Sequence, residues 1–367
     1  MTASDGATSR GTRGFALRAV ERHGVSPGHF RVTRSGLTLS SVGLGTYLGA
    51  ADGPTDLAVE QAVSICLSSR RVNVLDTAIN YRHQRAERSV GRALRRLFEG
   101  GDVAREEVFL STKIGYLAPD AEAGISPAAW VERELLGPGV VRPEDLVDGS
   151  HSMSRSYLTD QLGRSLRNLD LGTVDLLYLH NGPEAQLSAV GLETFLVRLE
   201  EAFGLFESFR EEGKIVSYGL ATWQSLRTPP GRPGHFPLEA ALARARKVGG
   251  EEHGLRFVQF PFNAAMPEAW AVPTQSVGGE RLPLFRAAQK LGLGCFTSVP
   301  LLQGELARGG RSRSGLSAAQ TALQFARSAP GTLTTLVGQK TPQHLSENLE
   351  LAQRLPWDDA EFGEAAV

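Results

Sequence analysis

The chain is short of four things, and each shortage excludes something. Cysteine is scarce: Cys66 and Cys295 are the only two among 367 residues. No disulfide framework can shape such a protein, and a reducing compartment, the cytoplasm, is the expected setting. Long apolar runs are missing, and nothing approaches the roughly 18 consecutive apolar residues that suggest a membrane-spanning helix. Charge of one sign is missing too. With 39 basic and 40 acidic residues the net charge is −1, so no bulk field draws the chain toward nucleic acid or a membrane surface. Lysine is the fourth: only Lys113, Lys214, Lys247, Lys290 and Lys340 interrupt an otherwise all-arginine basic set. A position held as lysine offers a compact charge with a shiftable pKa, which arginine does not. The cysteines and histidines show no metal-ligand spacing, so no metal is expected. No Walker A loop, G-x-S-x-G elbow or paired-carboxylate motif stands out either.

What is present is an ordinary globular composition, 41% hydrophobic and 22% charged, which excludes collagen, coiled coil and wholesale disorder. The first 28 residues scatter Arg10, Arg13, Arg18 and Arg22 among glycine, serine and threonine, without the apolar core of a secretory signal. Residues 1–28 are expected to form a flexible extension, with an organellar transit peptide as the alternative. Residues 29–367 are expected to form one domain.

Within that domain, short apolar runs alternate with longer stretches of helical periodicity. The runs are Ser41–Thr46, Val72–Asp76, Val108–Lys113, Val174–His180, Ile215–Ala221, Arg256–Phe260, Leu293–Ser298 and Thr332–Gly338. Each is followed by a helix candidate. Nearly continuous apolar strands suit a parallel sheet buried on both faces. Eight such units predict a closed (β/α)₈ TIM barrel of the α/β class. An open doubly wound sheet would carry a Gly-rich dinucleotide turn after its first strand, and Gly43-Leu44-Gly45 is too short to count. Two segments fall outside the rhythm. Phe30–Leu39, around Ser35-Gly36, reads as a β-hairpin able to close one end of the barrel. The long connection Ile114–Met153 follows the third strand, and so belongs on the catalytic face, as a substrate lid with a short helix at Pro127–Leu136.

Catalytic groups of such barrels project from the C-terminal ends of strands. Those ends supply Asp76, Tyr81 five residues on, Lys113 and His180. Each alone has a plain structural reading, as a cap, a loop aromatic, a solvated strand end or a core histidine. Together they form a chemical unit. A neighbouring ammonium lowers the pKa of a tyrosine, and a carboxylate beside that lysine keeps it charged and placed. A histidine at the same mouth can orient a substrate carbonyl. The set moves a proton at an oxygen while something else attacks or leaves the carbon.

The segments VGLGTYLG, NVLDTAINY, FLSTKIG, LGTVDLLYLHN, GKIVSYGLA, VQFPFN, VPLLQG and LVGQKTPQHLSENLE resemble the aldo-keto reductase superfamily over nearly all of Phe30–Leu355. That resemblance implies NADPH-dependent reduction of an aldehyde or ketone, or the reverse oxidation, with Tyr81 as general acid/base. Lys113 and Asp76 would tune it, and His180 would orient the carbonyl. By the same resemblance Gly45 and Thr46 lie beneath the nicotinamide ribose, and Gln259 and Thr222 face the carboxamide. Pro300, Leu301, Gln303 and Gly338 line the cofactor. Lys340 and Thr341 hold the adenosine 2′-phosphate, and Glu347 and Asn348 meet the adenine. One lysine near a phosphate favours NADP(H) over NAD(H). Tyr47, His151 and Trp223 are candidate substrate-pocket walls.

Departures from the family pattern are visible. Ala221 stands where a serine often binds the carboxamide, and Ser298 where an aromatic often stacks on the nicotinamide. Losing a stacking face costs on the order of 1 kcal/mol, for which Phe296 or Phe262 would have to compensate. The expected partner is a small carbonyl or alcohol, without nucleic acid or membrane, and the oligomeric state stays open. Three other readings remain: a sugar or polyol dehydrogenase, a nicotinamide-nucleotide-binding regulatory subunit, and a redox-neutral enzyme using Tyr81 without hydride.

Overall fold

The computed structural model describes residues 6–308 and 315–366. Its strands, in chain order, are β1 (Phe30–Val32), β2 (Thr38–Ser40), β3 (Val42–Gly45), β4 (Val74–Asp76), β5 (Phe109–Ile114), β6 (Val174–His180), β7 (Ile215–Ala221), β8 (Leu255–Pro261), β9 (Gln275–Val277), β10 (Glu280–Leu282), β11 (Gly294–Ser298) and β12 (Thr332–Val337). β3 to β8 with β11 and β12 form a closed barrel in which every pairing is parallel. β12 returns to β3 through Thr335↔Val42 to Val337↔Leu44. All eight expected strands are present, each followed by helix, and the closure rules out the open sheet.

The barrel interior is filled by Leu39, Val74, Phe109, Leu176, Phe257, Phe296 and Leu336 among others, all at most 5% exposed. Phe109, Phe257 and Phe296 meet with ring centroids 5.4–5.7 Å apart. A second, larger apolar layer lies between strands and surrounding helices. The expected hairpin forms, with Phe30↔Ser40, Arg31↔Leu39 and Val32↔Thr38 antiparallel.

Two expectations are corrected. Within the segment expected as a flexible extension, Ser9–His23 is an α-helix. Thr8 caps it by accepting the Gly11 amide at 2.9 Å. Gly11, Thr12, Phe15, Ala16 and Ala19 form its buried face. That stripe holds a single large apolar residue, so its periodicity is faint in the sequence. Gly11 permits close approach: a Cβ there would lie 2.3 Å from the Glu106 carbonyl oxygen.

The second correction concerns Ile114–Met153. Its short helix is present, as Pro127–Val131 continuing into a wider turn at Glu132–Leu136. The segment meets the catalytic mouth only through Tyr116, however, and the rest of it lies elsewhere. Trp130, Leu135 and Val141 bury themselves with Tyr157 in a satellite core. Asp120 pairs with both Nη atoms of Arg88 at 2.7 and 2.6 Å, which ties the segment to helix Arg85–Glu99. Apolar residues and a half-buried ion pair hold it to the flank, where a lid would need free hinges. Among the described residues, no helix is long and apolar enough to cross a membrane.

Candidate active site

Strand register assembles the centre. Ser111 and Lys113 are two apart on β5 and therefore share a face. Asp76 closes the neighbouring strand, opposite Ser111. Both β5 side chains reach Asp76: Ser111 Oγ donates to Oδ1 at 2.7 Å and Lys113 Nζ to Oδ2 at 2.5 Å. Lys113 also donates to the Thr77 carbonyl at 2.8 Å and is 1% exposed. From β8, Gln259 Nε2 adds a bond to Asp76 Oδ1 at 3.1 Å. Burial lowers the Lys113 pKa, while the Asp76 charge works against that shift.

Tyr81 lies in the loop after β4, with Lys113 Nζ 4.8 Å from its ring centroid. The chain reverses directly after it through three left-handed residues, Arg82, His83 and Gln84, at φ 48°, 53° and 72°. Each such non-glycine residue costs about 1 kcal/mol or more. The turn is held by Arg82–Asp56 at 2.6 Å and by Gln84 Nε2 to the Ala118 carbonyl at 2.8 Å. The electrostatics correct one expectation. Burial first, then the Asp76 charge and Tyr47, push the Tyr81 pKa well above 10. Lys113 does not reverse this, because its hydrogen bonds go to Asp76 and Thr77 while it lies over the ring. Tyr81 is therefore held as the protonated phenol.

His180 is the last residue of β6, its ring 5.7 Å from that of Tyr81 and edge-on to it. Burial, the Lys113 charge and His151 hold its pKa far below 6.5, so it is a neutral imidazole, and its Nδ1 is buried without a partner.

These groups open into one cavity of about 850 Å³ at the C-terminal mouth of the barrel. Asp76, Tyr81 and His180 line it, and Lys113 sits beneath. The twelve positions assigned to cofactor all line the same cavity: Gly45, Thr46, Thr222, Gln259, Pro300, Leu301, Gln303, Gly338, Lys340, Thr341, Glu347 and Asn348. One end suits an anion. Helix Pro342–Glu350 begins there, with Thr341 as its cap, and a helix N-terminus favours negative charge. Lys340 stands just before it and reaches back to the Leu48 carbonyl. Asn348 is 3% exposed and its Oδ1 has no partner. An unpartnered buried acceptor at a cleft calls for a ligand donor. The residues present therefore fit a phosphorylated nucleotide.

The pocket-wall candidates divide. Tyr47 lines the cavity, its ring 5.0 Å from Tyr81, and so does Trp223. His151 does not: it is fully buried behind His180. Nor can Phe296 or Phe262 replace the missing stacking aromatic. Phe296 is locked in the barrel interior, and Phe262 packs against Phe285 and Phe325. Ala221 and Ser298 both face the cavity.

Sequence reasoning missed Asn80, Tyr116 and Asn181, all in the wall. Asn181 and Tyr116 do lie just past strand ends, a signal that could have found them. It also missed Glu184. One oxygen of that carboxylate, Oε1, accepts the amides of Trp223, Gln224 and Ser225, each at 2.8 Å, and so holds the loop that carries Trp223. Nothing in the sequence pattern pairs those positions. Among the described residues, no three acidic, histidine or cysteine side chains are grouped to hold a metal ion.

A parallel eight-stranded barrel with Asp, Tyr, Lys and His gathered at its C-terminal mouth defines a class of oxidoreductase architecture. A sequence profile of the aldo/keto reductase family matches residues 41–228. The chain belongs to that family. It is 30% identical over 194 residues to a probable voltage-gated potassium channel subunit beta of Arabidopsis thaliana, covering 52% of this chain and 45% of that protein. It is 25% identical over 189 residues to an uncharacterized oxidoreductase of Bacillus subtilis, covering 51% and 46%. These matches thus span about half the length of each relative. Among solved structures, an aldo-keto reductase from Bacillus halodurans in its holo form superposes with a TM-score of 0.61 at 19% identity, over 91% of this chain and 94% of that one. An aldo/keto reductase from Klebsiella pneumoniae in complex with NADP and acetate gives 0.56 at 18%, over 91% and 93%. At such identities the likeness speaks for the fold.

Proposed function

We propose that this protein is an NADPH-dependent carbonyl reductase for a small, neutral aldehyde or ketone. The observation that carries the reading is the single cavity joining Tyr81 and His180, with Lys113–Asp76 beneath, to an anion-suited end at Lys340 and Thr341, where Asn348 Oδ1 offers an open acceptor. A nicotinamide nucleotide, when bound, supplies the hydride. Gly45, Thr46, Gln259 and Thr222 would hold its nicotinamide end, and Lys340, Thr341, Glu347 and Asn348 its adenosine end.

The chain's own residues supply the rest. Neutral His180 holds the carbonyl oxygen by a hydrogen bond. Tyr81, kept protonated, gives its proton to that oxygen as negative charge develops there. Lys113 then faces a forming phenolate and stabilises it, with Asp76 fixing the lysine. Around Tyr81 the wall is Tyr47, Asn80, Tyr116, Asn181 and Trp223. It offers aromatic faces and amides but no formal charge, which supports a neutral substrate.

The similarity to a channel beta subunit favours, as a second reading, a nucleotide-binding regulatory role. One experiment separates the two: consumption of NADPH with a panel of aldehydes and ketones, by wild type and by Tyr81→Phe. The reductase reading expects turnover by wild type and a loss of about 10²-fold or more in the variant, with NADPH affinity within a few-fold. Equal turnover by the variant refutes the assigned acid. NADPH binding without any turnover favours the regulatory role.

A further inference from the structure

His151 lies outside the cavity, yet both of its ring nitrogens are engaged. It is 0% exposed. Its Nε2 lies 3.0 Å from the backbone carbonyl oxygen of His180, and its Nδ1 lies 3.1 Å from Gln186 Nε2. Gln186 is itself buried, and its Oε1 accepts from Arg198 Nη1 at 2.6 Å. A guanidinium can only donate, so Arg198 fixes which end of the Gln186 amide is oxygen. The amide nitrogen must then donate to His151 Nδ1. That leaves the imidazole proton on Nε2, where it donates to the His180 carbonyl. Burial lowers the His151 pKa to about 4, so the ring stays neutral at ordinary pH and the direction of the chain is unambiguous.

The His180 carbonyl needs this donor. The β5–β6 ladder ends at Ile114↔Leu179. The Asn181 amide points the other way, to Ala221 on β7, so the His180 carbonyl faces the β5 side one step past the last ladder pair. β5 has already left the sheet there, through Gly115 at φ 132°. A Cβ at Gly115 would lie 2.5 Å from His151 Nε2, so the glycine both turns the strand away and makes room for the imidazole. The ring of Tyr116 then contacts both histidines edge-on, with centroids 5.0 Å from His151 and 5.3 Å from His180.

We propose that His151, oriented by Gln186 and Arg198, is a positioning residue. It replaces the missing ladder donor and so fixes the strand end that carries the His180 imidazole toward the substrate carbonyl. The inference rests on the carbonyl-reductase reading for what His180 does, but not for the hydrogen-bond chain itself.

The test has two arms. Histidine-ring NMR of the full chain at neutral pH should find His151 neutral with its proton on Nε2. In Gln186→Met the Nδ1 lone pair should lose its amide donor, so the Nδ1 resonance should shift while the proton stays on Nε2. A proton on Nδ1, or a doubly protonated ring, overturns the proposal whether or not the protein turns over. In the kinetic arm, with 4-nitrobenzaldehyde and NADPH, His151→Phe should lower kcat/KM for the aldehyde about tenfold or more, because small displacements of a reacting group are costly. NADPH affinity should change less than about twofold. His151→Gln, whose amide can still donate to the carbonyl, should recover most of the loss. Wild-type kcat/KM in a folded His151→Phe overturns the proposal, as does a parallel loss of cofactor affinity. Where His151→Phe does not fold, Gln186→Met takes its place in both arms. Tyr81→Phe runs alongside: if it turns over like wild type, the reductase reading fails, and the NMR arm alone decides His151.

Discussion

The two ends of the barrel use the same residue types for opposite purposes. At the N-terminal end, His29 bonds the Arg71 carbonyl through Nε2 at 2.7 Å and Ser41 Oγ through Nδ1 at 3.1 Å. Asn73 accepts from the Ser40 amide and donates to the Thr38 carbonyl, both at 2.9 Å. Asp175 takes the amides of Ala7 and Leu110 and the guanidinium of Arg105. At the C-terminal end, His180 Nδ1, Asn80 Oδ1 and Asn348 Oδ1 are buried with no partner. The imidazole, amide and carboxylate named at the N-terminal end are bonded by the chain, although Arg71 Nε, Arg105 Nε and Thr332 Oγ1 there also lack partners. The orphans at the C-terminal end differ in bordering the cavity, where a ligand can offset the roughly 1–3 kcal/mol that each costs.

The largest break between the ends should come from one ion pair at each, the buried Lys113–Asp76 at 2.5 Å and the partly buried Arg105–Asp175 at 2.9 Å. Either Lys113→Met or Arg105→Met leaves a buried carboxylate without its cation, and each should lower unfolding free energy by about 3–5 kcal/mol. Only Lys113→Met should also cut turnover by about 10²-fold or more. Comparable activity in the two folded variants, measured beside their urea melts, would erase the distinction.

Acid sensitivity gives a second comparison. Burial and the Arg327 charge lower the His29 pKa to about 3, and burial lowers that of His151 to about 4. Unfolded, both take up a proton near 6.5. Below that pH the unfolded state therefore binds more protons and stability falls. The loss runs from 6.5 down to about 3 for His29 and about 4 for His151, near 1.4 kcal/mol per pH unit for each. Replacing His29 by Gln should remove one proton from that slope and leave turnover alone. Urea melts across the pH range check this, and an unchanged slope contradicts the assignment.

Smaller effects belong to the cofactor end. Lys340→Met should weaken NADPH about tenfold, or about 1.4 kcal/mol, and NADH by less than about twofold. Equal losses would remove the 2′-phosphate from this lysine. Ser298→Tyr should restore a stacking face worth on the order of 1 kcal/mol and tighten NADPH about fivefold. Weaker binding would mean Ser298 does not border the nicotinamide.

The barrel was legible because eight apolar runs bounded by helical periods leave few alternatives, and the central residues because Asp76, Lys113 and His180 close such runs and Tyr81 follows one five residues on. The helix Ser9–His23 escaped notice because its buried face is built from Gly11, Thr12, Ala16 and Ala19 around one Phe15. The Ile114–Met153 segment was misjudged because loop length says nothing of where Trp130 and Leu135 bury themselves. Glu184 and Gln186 could not be found, since their partners lie 39 to 41 and 35 positions away and no local pattern joins them. The Tyr81 pKa is displaced opposite to the expected direction because burial, then the Asp76 charge, raise it, and depth of burial is not written in residue spacing.

The account stands most directly on nucleotide binding at the open end. Titrating the protein with NADPH and with NADH, and following the fluorescence of tryptophans that include Trp223 in the cavity wall, tests it in one measurement. Saturable quenching with NADPH bound more tightly than NADH is the predicted result. No saturation by either nucleotide would mean that the orphaned groups at the C-terminal mouth await something else, and would contradict the account.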